Sequence, residues 1–250
     1  MLQSENMSLN CSWALIVPMA NEEETFGPFV DQVSKVLDEL KSGTVYIVVD
    51  KASKDATLTL CQNLSSEDKR FVTIWAPENK NVVDAYYRGY LEALKNNHDY
   101  YIEMDAGLSH DPASIVNFLE YLNMGYDCVF GSRFVKGGSL KDSPLKRQIL
   151  SRGGTFLSNL LLGTNLRDMT SGYQGFTKEV VEKITSYKLK SIAHFYQTEI
   201  RYLLRKRKFI EVPIQYIAPS PRVSSKAIKN SFSVLFYYFL KRVTFNSLSL

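Results

Sequence analysis

Short apolar runs alternate with longer amphipathic stretches over the first half of the chain. Runs rich in β-branched and aromatic residues have the length of buried strands, and they lie at 13–18, 45–50, 71–76, 100–105 and 127–132. Helix-like patterns separate them, at about 22–41, 55–66, 82–96 and 112–124. This alternation predicts right-handed βαβ units, and therefore an α/β fold with a mostly parallel central sheet flanked by helices.

The second half is less regular. Helical patterns lie at about 146–162, 177–187 and 194–206. A polar turn lies at 167–175, and a late strand at 209–217. Because no linker-like stretch divides the chain, we expect a single domain over 13–226. A flexible N-terminus at 1–12 and a C-terminal apolar helix within 227–250 would flank it.

Composition and charge narrow the class of protein. The chain has 250 residues, 45% of them hydrophobic and 22% charged, which are globular values. A net charge of +4 is too weak to indicate nucleic acid but suits a phosphorylated substrate or an anionic membrane surface. The three cysteines are widely spaced, which favours buried thiols in a reducing compartment. Without a signal-like N-terminus or an apolar run of about 20 residues, we expect a cytoplasmic protein, either soluble or at the cytoplasmic face of a membrane.

The carboxyl ends of the predicted strands are the place to look for a ligand, since parallel sheets bind ligands beyond that edge. At the end of the fourth run, EMDAGLSHDP, Glu103 and Asp105 stand two positions apart, so a continued strand would turn both to the same side. Two carboxylates there can share a divalent cation. Alternatively, Asp105 caps the helix that begins near Pro112, or the cluster is only solvated. The neighbouring His110 is either a phosphate contact or a structural donor.

A second polar stretch, VVDKASKDAT, follows the run at 45–50. Asp50 and Ser53 would form a shelf for a nucleotide, with Asp50 accepting hydrogen bonds from a base or ribose. Asp55 stands where a helix N-cap would, and a plain cap is the competing interpretation of this stretch.

Several motifs resemble one known family in their order and spacing. They include IVPMANEEE, VVDKASKDAT, EMDAGLSHDP, GSRFVKGGSLKDSPLKRQILSRGG, DMTSGYQGF and RVSSK. Together they are similar to family 2 glycosyltransferases of the GT-A (Rossmann-like) fold, and in particular to the dolichol- or polyprenol-phosphate mannosyltransferases. The resemblance covers about residues 13–226.

The resemblance implies an inverting hexosyltransferase that moves a sugar from GDP-mannose or a UDP-sugar to a polyprenyl or dolichyl phosphate. It implies site residues at matching positions. Those for the nucleotide sugar are Pro18, Asn21, Glu22, Asp50 and Asp105, where Asp105 matches the first acid of a metal-binding Asp-x-Asp. Those for phosphates and the acceptor are Arg133, Arg147, Arg152, Arg222 and Lys226.

The chain departs from the family pattern where the metal would bind. The second acid of the Asp-x-Asp is Gly107, and Lys51 stands where a second acid usually follows Asp50. Mg²⁺ or Mn²⁺ is still the expected cofactor, held by Asp105 with Glu103 and water. Alternatively, Lys51, Arg133 or Lys226 replaces part of the cation's charge, or the protein is an impaired nucleotide-sugar-binding subunit.

The acceptor decides whether a general base is needed. A phosphate monoester is largely ionised near neutral pH and is already a nucleophile. A hydroxyl of a polysaccharide or glycan would need a carboxylate to take its proton, and Asp168 or Glu199 would be that base. The competing interpretations are a turn or cap residue for Asp168, and a helix-surface acid paired with Arg201 or Arg205 for Glu199.

The C-terminal stretch FSVLFYYFL, at 232–240, is apolar and aromatic with cations on both sides. That pattern is typical of a helix lying in a membrane interface. A helix packed against the sheet, or against a partner in a homo-oligomer, explains it equally well.

Overall fold

Seven strands pair into one sheet in the computed structural model, which describes residues 11–140, 144–217, 225–245 and 248–250. In chain order they are β1 (Trp13–Pro18), β2 (Gly43–Val49), β3 (Phe71–Trp75), β4 (Tyr100–Glu103), β5 (Cys128–Ser132), β6 (Gln174–Thr177) and β7 (Phe209–Pro213). Across the sheet the order is β3-β2-β1-β4-β6-β5-β7. All neighbours are parallel except β6, which runs antiparallel to β4 and β5. The predicted mostly parallel sheet is confirmed.

Helices cover both faces of the sheet. They are α1 (Glu23–Leu40), α2 (Thr57–Glu67), α3 (Val82–Leu94), α4 (Ile115–Asn123), α5 (Leu145–Leu162), α6 (Lys178–Ser186), α7 (Tyr196–Leu203) and α8 (Ser225–Val243). A short 3-10 turn at Pro112–Ser114 leads into α4. Most lie within a few residues of the sequence prediction, and α8 begins at Ser225, just before the predicted C-terminal region of 227–250.

Alternation along the strands divides the core into two layers. On β1, Ala14 and Ile16 point into a cluster shared with α3, α6, α7 and α8. Trp13, Leu15 and Val17 point the other way, into a cluster shared with α1 and α4. Because β1 is buried on both faces, it is a continuous apolar run, as central parallel strands are. The chain is a single domain of the predicted α/β class.

Two sequence predictions needed correction in this part of the fold. β6 overlaps the predicted polar turn at 167–175, because its four residues, QGFT, carry too few apolar positions to show an alternation. β4 ends at Glu103 and not at Asp105, so the loop begins between the two acids. Strand alternation therefore does not turn Glu103 and Asp105 to a common side.

Some predictions fall where the structure gives no description. Residues 1–10 of the predicted flexible N-terminus lie outside the described residues, as does Arg222. Among described residues near that N-terminus, Ser12 is held to Asp99 by hydrogen bonds of 2.8 and 3.0 Å. Across 11–140, 144–217, 225–245 and 248–250, no helix combines the length and apolar character that crossing a bilayer requires.

Candidate active site

A cavity of about 670 Å³ opens beyond the carboxyl ends of β1, β2 and β4, and we call it the edge cavity. Its wall includes Pro18, Glu22, Asp50, Lys51, Asn79 and Asp105. Its volume is typical of small-molecule sites. This edge thus brings together residues from the ends of four different strands.

Two of the predicted nucleotide ligands serve instead to position the loops of the edge cavity. Asn21 has a left-handed backbone, φ 59°, and neither it nor Ser53 lines the cavity. The Asn21 amide donates to the Ala52 carbonyl (3.1 Å) and accepts from the Lys54 N–H (2.8 Å), while the Asn21 N–H donates to Ser53 Oγ (3.1 Å). These bonds tie the loop after β1 to the loop after β2.

The other residues of the loop after β2 divide between the cavity and the helix. Asp50 lines the cavity, and its Oδ1 accepts from the Ala52 N–H at 2.8 Å. Asp55 Oδ1 accepts from the N–H of Thr57, the first residue of α2, but the N-cap position is Ala56, one residue after the predicted cap. Hydrogen bonds, first that with Thr57, lower the pKa of Asp55 to about 2. Asp55 is therefore a fixed anion that anchors the loop.

Asn79 is a cavity residue that the sequence reasoning missed. It lines the edge cavity, is only 7% exposed, and its Nδ2 has no hydrogen-bond partner among the described residues. A buried amide donor without a partner is costly, so a ligand that accepts from it is expected. It lies beyond β3, and the sheet-edge rule extended to that strand would have found it.

Asp105 stands where the edge cavity meets a second cavity, which lies between α5, α8 and the residues preceding α7 and which we call the helix cavity. Its side chain is 34% exposed. Oδ1 accepts from the Tyr86 hydroxyl at 3.0 Å, and Oδ2 lies 3.9 Å from His110 Nδ1. His194, which the sequence analysis does not single out, also lines both cavities. It comes from the turn before α7, which no strand pattern marks.

Glu103 does not reach this junction. Its carboxylate is fully buried and accepts from the Tyr90 hydroxyl (2.6 Å), Gln174 Nε2 (2.6 Å) and the Tyr196 hydroxyl (3.0 Å). Burial raises the pKa of Glu103 to about 7. The expectation that Glu103 and Asp105 share a cation is therefore wrong in geometry, because the Glu103 oxygens are already occupied in the core.

The helix cavity combines cationic groups with apolar helix faces. Arg133, Arg147 and Thr170 line it close to Asp105 and His110. Side chains from α5 and α8 complete it, including Leu150, Leu157, Ile228, Phe232 and Leu235. Arg147 donates to the Tyr216 hydroxyl at 3.0 Å and lies over that ring. The cavity thus suits a ligand with an anionic head and an apolar body.

His110 forms part of the wall between the cationic groups. It is 3% exposed, packs against the rings of Tyr173 and Tyr216, and its Nδ1 has no hydrogen-bond partner among the described residues. Burial lowers the pKa of His110, so the imidazole is neutral at physiological pH. The phosphate contact stays a prediction for His110.

Arg133 and Asp168 form a buried ion pair. Arg133 Nε donates to Asp168 Oδ2 at 2.7 Å and Nη2 to Oδ1 at 2.9 Å, and Asp168 is fully buried. Arg201 also donates to the Asp168 carbonyl. Although burial alone would raise it, the pKa of Asp168 is held well below its usual range by Arg133 and Arg201. Asp168 is thus a poor base, and its sequence-predicted catalytic role is not supported.

Glu199 is likewise enclosed. Its oxygens accept from the backbone N–H groups of Lys190 and Ser191, both at 2.8 Å, and from the Tyr238 hydroxyl at 2.7 Å. All eight residues of α7 are buried, which is why neither the general-base role nor the surface ion pair predicted for Glu199 fits. Glu199 instead joins α7 and α8.

The remaining predicted phosphate contacts are separated from one another. Arg147 lines the helix cavity, whereas Arg152 is exposed and lies over the Phe134 ring. Lys226 is exposed at the start of α8. The structure therefore brings Arg133 and Arg147 to the junction with Asp105, but not Arg152 or Lys226.

Comparison with known proteins fits this geometry. The family model described as Glycosyl transferase family 2 matches residues 14–185, which include β1 to β6 and the acidic edge. The chain belongs to glycosyl transferase family 2. It is a glycosyltransferase, and it resembles the polyprenol-phosphate mannosyltransferases in particular.

Three relatives of this glycosyltransferase have names that join mannose to a polyprenyl-type lipid. It is 29% identical over 225 residues to the polyprenol monophosphomannose synthase of Mycolicibacterium smegmatis, covering 89% of this chain and 83% of the relative. It is 28% identical to the undecaprenyl-phosphate mannosyltransferase of Micrococcus luteus, covering 81% and 82%. Against the dolichol-phosphate mannosyltransferase of Pyrococcus furiosus the identity is 32%, covering 81% of this chain and 56% of that relative.

Solved structures share the GT-A fold of this glycosyltransferase. Glucosyl-3-phosphoglycerate synthase from Mycobacterium tuberculosis, in complex with Mn²⁺, UDP and its product, matches with a TM-score of 0.67 at 14% identity, covering 93% of this chain and 80% of that one. The same enzyme with Mg²⁺ and UDP matches with a TM-score of 0.65 at 16% identity, covering 93% and 79%. At such identities the likeness establishes the fold alone.

Proposed function

We propose that this glycosyltransferase transfers mannose, or another hexose, from a nucleoside diphosphate sugar to the phosphate of a polyprenyl or dolichyl phosphate, with inversion. One observation carries the proposal. Asp105 lines both the edge cavity and the helix cavity, so a donor in the first and an acceptor in the second would meet at its carboxylate. The names of the relatives support mannose and a polyprenyl phosphate.

The edge cavity suits the donor. Asp50 offers an acceptor and Asn79 a donor for the base and ribose, and the exposed ammonium groups of Lys51 and Lys80 line the same wall. These cations would stabilise the negative charge of a diphosphate. Both GDP and UDP sugars fit this description.

The helix cavity suits a lipid phosphate better than a sugar hydroxyl. Arg133 and Arg147 would bind the phosphate, and the apolar walls of α5 and α8 would receive the isoprenoid chain. The two carboxylates predicted as general bases, Asp168 and Glu199, are buried and already bonded. An ionised phosphate needs no base, so their enclosure favours the lipid phosphate.

The helices that form the helix cavity also expose an apolar surface. On α5 the exposed residues are Leu145, Ile149, Phe156 and Leu160, and on α8 they are Ile228, Phe232, Phe236 and Leu240. Spacings of four and seven place each set on one helix face. Since α8 buries only Ala227, Val234, Leu235 and Tyr238, the core interpretation accounts for one of its faces. We propose that the exposed face contacts the membrane that holds the acceptor, with Lys229 and Lys241 near anionic head groups.

A divalent cation fits the edge cavity. Among the described residues, no three His, Cys, Asp or Glu side chains are grouped to hold a metal. Asp105 and Glu22 nevertheless line one cavity, and Mg²⁺ is commonly bound by one or two carboxylates together with substrate phosphates. A bound cation would neutralise charge on the leaving diphosphate. We therefore propose Mg²⁺ or Mn²⁺ as the cofactor.

In the proposed reaction, an acceptor phosphate oxygen attacks the anomeric carbon as the bond from that carbon to the diphosphate oxygen breaks. Arg133 and Arg147 would orient the attacking phosphate, and Lys51 and Lys80 would stabilise the leaving group. Asp105 would hold the two reactants in line between the cavities. Such positioning, with electrostatic stabilisation, commonly supplies a large share of catalysis.

Label partition tests the proposal. The purified protein is incubated with radiolabelled GDP-mannose or UDP-glucose, in vesicles that contain either polyprenyl phosphate or the unphosphorylated polyprenol, and with Mg²⁺ or Mn²⁺. We expect label in the organic phase only with the phosphate. Label on a soluble glycan acceptor would favour the hydroxyl reaction, and nucleotide binding without transfer in every combination would contradict the proposal.

A further inference from the structure

The chain has one acid fewer than expected beside Asp105. Gly107 occupies the second acidic position of the resembled Asp-x-Asp, and Glu103 is enclosed in the core. A cation between Asp105 and a diphosphate would therefore lack one carboxylate, unless another element supplies it.

Glu22 lies where that carboxylate is missing. A Cβ placed on Gly107 would be 3.3 Å from Glu22 Oε1 and 3.5 Å from Oε2, and these are its nearest neighbours outside the adjoining residues. The carboxylate of an aspartate at 107 would therefore lie in the same region as the Glu22 carboxylate.

Local structure holds Glu22 in this place. The left-handed Asn21 turns the chain, the Glu22 N–H donates to Thr57 Oγ1 at 2.9 Å, and the Thr25 hydroxyl donates to Glu22 Oε2 at 2.5 Å. The same cavity shows independently that it is built for a polar ligand, because the unpartnered amide of Asn79 is 7% exposed on its wall.

We infer that Glu22, on the loop after β1, supplies the second carboxylate of the divalent-cation site, so that Glu22 and Asp105 together with the donor diphosphate hold the cation. This inference rests on the proposed function. It also accounts for a glycine at position 107, because an aspartate there would set a second carboxylate directly against that of Glu22.

A charge-relocation experiment tests this on the full chain, with GDP, UDP and Mn²⁺ as probes. Nucleotide affinity is measured with and without Mn²⁺ by calorimetry, and bound Mn²⁺ is counted by electron paramagnetic resonance. The variants are Glu22→Gln, Glu22→Gln combined with Gly107→Asp, and Glu24→Gln. Glu24 is exposed in the first turn of α1, so its variant removes the same charge next to the same helix end.

We expect Mn²⁺ to strengthen nucleotide binding by the wild type and by Glu24→Gln. In the Glu22→Gln variant, the factor by which Mn²⁺ strengthens nucleotide binding should be smaller by about tenfold or more, because removing a group that supports a metal has an effect of that size. The double variant should recover it, because the aspartate restores a carboxylate from the other side. Thermal melting confirms that each variant is folded.

The outcomes separate this inference from the proposed function. A Glu22→Gln variant that keeps the full Mn²⁺ gain overturns the inference, and so does a folded double variant without recovery. If the nucleotide affinity of the wild type does not depend on Mn²⁺, the inference is also overturned, but the proposed sugar transfer is not. A wild type that binds neither GDP nor UDP contradicts the proposed function itself.

Discussion

The two halves of the sheet build their parts of the site in different ways. In the half formed by β3, β2, β1 and β4, partly exposed polar residues directly follow the strands, and backbone hydrogen bonds fix their loops. In the half formed by β6, β5 and β7, the charges are buried and paired, as in Arg133 with Asp168. The first half leaves Asp50 and Asp105 available to a ligand, and the second uses its carboxylates to hold the protein together.

The difference shows that burial and neighbouring charges decide what an acidic side chain can do. Asp105 and Asp168 are the same residue type, and both follow a predicted element in a polar loop. Asp105 keeps a third of its side chain exposed at a cavity junction, while Asp168 is fully buried against two arginines. Exposed Asp105 can bind a cation or position substrate, whereas buried Asp168 can only stabilise its partners.

Replacing Asp105 should have the largest effect. Asp105→Asn keeps the shape and the acceptor for the Tyr86 hydroxyl but removes the charge shared by the two cavities. We expect transfer to fall roughly a thousandfold, by the scale of lost transition-state electrostatics. Lipid-linked product is measured, with Asp31→Asn on the exposed face of α1 as the control. Near-normal turnover in Asp105→Asn would remove the distinction between the two halves.

Asp168→Asn tests the opposite half. Removing the carboxylate leaves the Arg133 guanidinium buried without its counter-ion, and we expect the free energy of unfolding to fall by about 4 kcal/mol. Urea denaturation measures it. Asp38→Asn, which breaks the exposed pair with Arg70, should cost less than about 1 kcal/mol. An Asp168→Asn variant that keeps its stability would show that the ion pair with Arg133 does not hold this half together.

The first half was largely predictable from the sequence. Its strands are apolar runs and its site residues follow them directly, so β1, β2 and β4 placed Pro18, Asp50 and Asp105 at one edge. Side-chain direction was not predictable. Asn21 and Ser53 turned out to join loops, because the left-handed backbone at Asn21 decides where its amide points.

The second half was less predictable, because its structure depends on pairing across the fold. β6 is a strand only because β4 and β5 flank its four residues. Glu199 has the pattern of a surface acid on an amphipathic helix, yet α8 and the 190–191 backbone enclose it. No local pattern reports such burial, and the same holds for His194 at the junction of the cavities.

Glu103 sharpens the comparison, since it belongs to β4 but is buried against Gln174 of β6. Its folded-state pKa, about 7, lies above the ordinary value, so the folded protein holds the proton more tightly. The contribution of protonated Glu103 to the free energy of unfolding is fully present below about pH 4, and it is lost as the pH rises through 7. From pH 4 to 8, wild type should lose roughly 3 kcal/mol relative to Glu103→Gln, measured by urea denaturation at each pH. A constant difference would show that folding does not raise the pKa of Glu103.

The smallest expected effect concerns the outer surface of the second half. Phe236 and Leu240 are exposed on α8 and do not line the helix cavity. Changing both to Ser removes apolar area from the proposed membrane face, and we expect binding to anionic vesicles to weaken about tenfold. Vesicle co-sedimentation measures it, and Leu91→Ser on α3 provides an equally exposed apolar control. Nucleotide affinity should not change, because the edge cavity lies in the other half. Equal losses in both variants would mean that vesicle binding follows general hydrophobicity and not the face of α5 and α8.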